Sequence, residues 1–178
     1  MTKKEQQPQR QSLTMEHLTR IAGEHLLTTG QHLPMVIIEG HLRTQMVVIE
    51  DMPSTHGDRA QQMAEIGFAL AKQMDVGKLR QMVLITEGWL SVGTEDRPPQ
   101  IPPSKDPERV EVLLINQLDI RARKYHLMVL EVVRDGAGVI REVRPHASMK
   151  ETEGMTAESP LVDALLLGYL AAKRPPKD

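Results

Sequence analysis

The sequence predicts an α+β domain built around an antiparallel sheet. Two patterns carry this reading. Apolar residues recur every three or four positions near both ends of the chain and once in its interior, which marks helices. Between them lie six β-rich runs, several of them joined by brief turns. Strands joined so closely pair antiparallel, which separates this chain from a doubly wound parallel sheet.

Each element has its own signal. Ser12 or Thr14 caps a first helix over about 13–29, with Met15, Leu18, Ile21, Ala22, His25 and Leu26 along one face and Gly30 as a left-handed end. Met35–Ile38 and Met46–Ile49 form two strands across a polar connection longer than the tightest hairpin turn. Their unbroken apolar character predicts that both sheet faces are at least partly covered. Thr55 and Asp58 make a capping box for a second helix over about 56–75. Gly67 lies on its apolar stripe and is expected to let the helix approach the sheet closely. A third strand covers 81–91, followed by a stiff loop with five prolines between 98 and 107. Strands at 109–118, 124–134 and 139–144 follow, the last expected to alternate with one wet face. Ser159 and Pro160 open a final helix, which Pro175 and Pro176 stop.

The order is α-β-β-α-β-β-β-β-α. It resembles the profilin-like group of folds, which includes roadblock, longin and PAS-type modules, over about 13–172. The likeness is one of topology, with no family motif behind it, and a shared fold does not carry function.

The 178 residues fit one domain, with residues 12–174 as its body and disordered tails at 1–11 and 175–178. With 22 basic and 24 acidic side chains the chain lacks the excess positive charge of a general nucleic-acid binder. It has no apolar run of membrane-spanning length and no signal-peptide pattern. The absence of cysteine rules out disulfides, thiolate metal sites and a cysteine nucleophile, and fits a cytoplasmic location. One Trp, two Tyr and one Phe leave an aliphatic core in which methionines, 11 in all, fill gaps.

No phosphate-binding loop, dinucleotide fingerprint, nucleophile elbow or paired-histidine zinc motif is present. No cofactor, no metal ligand set and no catalytic residue is therefore assigned. His17 and His25 stand two helical turns apart, too far to share a metal ion. Asp51, His56 and Asp58 form the densest group of acid, base and ligand side chains, and suit metal-assisted or acid/base hydrolysis if His126 or His146 reaches them. The simpler role for Asp58 is the helix cap. Arg121, Arg123 and Lys124 make a basic turn, more in keeping with a solvated hairpin tip than with a nucleic-acid site. Glu87 and Trp89 share one face of the third strand, just before the proline-rich loop, and are the candidate binding residues. The leading expectation is a non-enzymatic protein-interaction or regulatory module that self-associates as a homo-oligomer. A hydrolase centred on Asp51, His56 and Asp58 is the alternative.

Overall fold

The computed structural model describes residues 13–91, 93, 100–147 and 158–174. The expected tails lie outside these residues, as do positions 94–99 of the proline-rich loop. The element order is the expected one: α1 (Met15–Thr29), β1 (Met35–Gly40), β2 (Thr44–Val48), α2 (His56–Gln73), β3 (Leu79–Leu90), β4 (Val110–Asp119), β5 (Lys124–Arg134), β6 (Ile140–Pro145) and α3 (Pro160–Lys173). The strands form one six-stranded antiparallel sheet in the order β2-β1-β3-β4-β5-β6.

Alternation of side chains sorts the sheet into two buried faces. Val36, Ile38, Met82 and Leu84 point toward α2 and α3, whose Met63, Leu70, Val162 and Leu165 complete that core. Ile37, Val83, Ile85, Leu113 and Ile115 point the other way, toward Leu18, Ala22 and Leu26 of α1. The protein therefore has three layers, with both sheet faces covered as the apolar runs imply. Met63 and Met82 are fully buried gap-fillers.

Of the two residues that could cap α1, Thr14 does so, accepting from the His17 N–H, and Ser12 lies outside the described residues. The β1–β2 loop, His41–Arg43, is longer than the tightest hairpin turn, as expected, but the strands run further into the polar connection, and Gly40 N–H donates to the Arg43 carbonyl at 3.0 Å. Its polar residues extend the ladder because their backbone groups pair whatever the side chains are. Gly67 does not face the sheet. A Cβ there would meet the Leu165 carbonyl, and one on Gly168 would meet the Ala64 carbonyl, so two glycines bring α2 and α3 together. Ser159 occupies the cap position of α3 but makes no side-chain capping bond. The pairing of β5 with β6 shifts register between Val133 and Arg134, so Ile140 and Val143 both turn toward α1 and strict alternation fails.

Candidate functional site

Glu87 and Trp89 lie on the α1 face of β3. The His32 backbone N–H donates to the Glu87 carboxylate. Partial burial raises the Glu87 pKa above the usual glutamate range, against the lowering effect of that N–H. His32 itself is only 4% exposed. Its ring stands edge-on to His25 at 5.3 Å, and burial lowers its pKa from the ordinary value.

Trp89 is 48% exposed. The Arg109 guanidinium lies 4.3 Å from its ring centroid and donates to the Ser104 carbonyl, so Arg109 covers one side of the indole. Opposite Trp89 in the ladder stands Glu111, which takes two bonds from Arg134 at 2.6 and 2.7 Å. Arg134 also donates to the carbonyl of Gly30, tying the end of α1 to the β5–β6 hairpin.

The hydrolase alternative finds less support. Asp58 accepts from the Thr55 hydroxyl while its own N–H donates back to that oxygen, which is the capping role. His56 and Asp51 are exposed on the β2 side of the sheet. His126 lies on β5, four strand positions from β2, or about 19 Å at the usual spacing. His146 follows β6 and donates its N–H to Val129 of β5. Neither strand position brings them to the cluster. Among the described residues no group of three or more His, Asp or Glu side chains is placed to hold a metal ion.

Two features were not legible in the sequence. The first is a buried polar row: Glu39, Gln81 and Gln117 on β1, β3 and β4, hydrogen-bonded side by side. It binds the backbone of Leu13 at both ends. The Leu13 N–H donates to Glu39 at 3.2 Å, and its carbonyl accepts from Gln81 at 2.9 Å. The start of α1 is thereby pinned to the sheet.

The second is the open edge at β2. The Gly40 bond to Arg43 and the Ile49 bond to Pro34 fix which backbone groups face β1. By alternation, those of Thr44, Met46 and Val48 face outward. Their outward-facing polar groups meet only the Gln45 side-chain amide, 3.5 Å from the Met46 carbonyl, among the described residues. The strand, TQMVV, has no charge, proline or bulge. The opposite edge, β6, carries Arg141, Glu142, Arg144, Pro145 and a register shift, the usual protections against strand pairing. Beside β2, on the α1 face, α1 packs mainly over β4, β5 and β6. An apolar trough of about 490 Å³ results, floored by Met35, Ile37 and Ile85 and walled by Leu18, Ile21 and His25. Met46, 57% exposed, forms its outer rim. His32 lines its lower end and links it to Glu87.

Fold and site thus define a three-layer α+β protein with one protected and one unprotected sheet edge. No protein-family model, no curated protein and no solved structure matches the chain.

Proposed function

We propose that this protein is a self-associating, non-enzymatic interaction module, and that a second copy of the chain pairs with β2. The observation that carries the reading is the uncharged edge strand with outward-facing backbone groups beside an apolar trough. In a two-fold antiparallel pairing each strand meets itself reversed, so a charged strand would oppose like charges. β2 carries none. Centred on Met46, the pairing would set Thr44 of each copy across from Val48 of the other and put both α1 helices on one side. Glu87 and Trp89, joined to the trough through His32, are proposed as contact residues for a protein partner on that face. A cytoplasmic location belongs to the same proposal and rests on composition.

Sedimentation equilibrium tests the reading. A reversible dimer is expected at concentrations of order tens of micromolar. The Met46→Lys and Val48→Lys double variant, which places charge on the edge, should sediment as a folded monomer. A wild-type chain that stays monomeric sinks the proposal. Stoichiometric zinc or manganese in the purified protein would transfer the assignment to a hydrolase.

A further inference from the structure

The opposite end of the sheet from Trp89 carries a second, chemically different site. There the β1–β2 turn, the start of β3 and the β4–β5 turn converge on a cavity of about 680 Å³, with Lys78, Arg80 and Arg121 on its walls. It adjoins a second cavity of about 500 Å³ beneath α3, whose apolar walls include Leu118, Leu166 and Leu170. Lys78, Leu79 and Ile120 line both, so the two form one continuous cleft, cationic at one end and greasy at the other.

The cations there are poorly neutralised. Arg80 reaches Glu39 only at 3.9 Å, and that carboxylate already holds Leu13 and Gln81. Asp119, on the wall of the same cavity, accepts from the Ala122 N–H, and Asp75 from the Gly77 N–H. Among the described residues Lys78, Arg121 and Arg123 have no ion-pair partner. Arg123 sits at φ 52°, the one non-glycine residue in the left-handed region among those described. That strained position holds a cation at the mouth of the apolar part. The His41 ring is fixed on the cavity wall, its Nδ1 accepting from the Lys78 N–H at 2.7 Å. Its ring fills the space that a Cβ on Gly77, at φ 73°, would need.

The second observation lies inside the apolar part. Both tyrosines of the chain line it. Tyr125 donates its hydroxyl to Asp163. Tyr169 is only 4% exposed, and its hydroxyl has no hydrogen-bond partner among the described residues.

We propose that this cleft binds a small anionic amphiphile, a carboxylate with a hydrocarbon chain. The carboxylate meets Lys78, Arg80 and Arg121, and the chain lies under α3 against Tyr125 and Tyr169. Site and ligand are independent of pairing at β2.

Decanoate below its micelle concentration is the probe, followed by NMR of tyrosine-labelled protein. The ring signals of Tyr125 and Tyr169 are expected to shift saturably while the Trp89 indole signal stays put. Lys78→Glu or Arg121→Glu, both at exposed positions, should weaken binding about tenfold. Decyltrimethylammonium should produce no saturable shift. The proposal is overturned if decanoate gives none, if the cationic detergent binds equally well, or if both charge reversals leave the affinity unchanged.

Discussion

Trp89 leaves about half of its surface in water and carries Arg109 over its ring. Its truncation should therefore cost less than that of a core aromatic. Trp89→Ala is expected to lose about 1–2 kcal/mol in urea unfolding, against about 3–5 for a buried ring. Because Trp89 is the only Trp, its emission should be open to acrylamide quenching and should respond to a protein partner. A loss in the buried-ring range, or emission that no quencher reaches, would make it a structural anchor. The side-by-side placing of Glu87 and Trp89 was legible because strand alternation is a local property. The row of Glu39, Gln81 and Gln117 was not. In sequence each is a polar residue beside an apolar run, indistinguishable from the wet face of a strand. Only the order of β1, β3 and β4 brings the three together, Glu39 directly opposite Gln81 and Gln117 diagonal to it, and that order is a long-range fact. Their one local signal is position: Glu39 closes VIIE, Gln81 opens QMVL and Gln117 follows LLIN.

At the scale of elements, the contact between α2 and α3 depends on two glycines meeting backbone carbonyls. A methyl group at Gly168 must push Ala64 away, and the helices must separate. Gly168→Ala is expected to destabilise by about 1–3 kcal/mol, although alanine is the better helix former by about 1 kcal/mol. Equilibrium denaturation measures this; a stabilised variant would mean that the helices do not touch there. Helix positions and the Thr55–Asp58 capping box could be read from the chain because 3.6-residue periodicity and caps are written within a few residues. The partner of Gly67 could not, since a small residue on an apolar stripe announces a close approach without saying to what. Strand ends were read short at β1 and β2 for a related reason. Backbone pairing continues through Glu39 and Thr44, where the side chains turn polar.

At the scale of the whole molecule, the asymmetry between its two sheet edges directs growth to one side. The proposed pairing at β2 would consume the edge without charge or proline and leave β6 outward in each copy. Such an assembly would close at two chains and not extend into a fibre. The same topology also sets an order of events during folding. β4, β5 and β6 follow one another through short turns, β3 joins β4 through the longer proline-rich connection at 91–109, and β1 with β2 forms a separate hairpin. The two units are joined in the sheet by one ladder, in which Met35 pairs with Ile85 across the whole length of α2. Closing that loop costs chain entropy before any contact rewards it. The meander is thus expected to form first, and its docking with the hairpin to come after the rate-limiting step. Ile115→Val in β4 should slow folding, whereas Ile37→Val in β1 should mainly speed unfolding. Stopped-flow chevrons that reverse this pattern would show that the chain begins from its first hairpin instead.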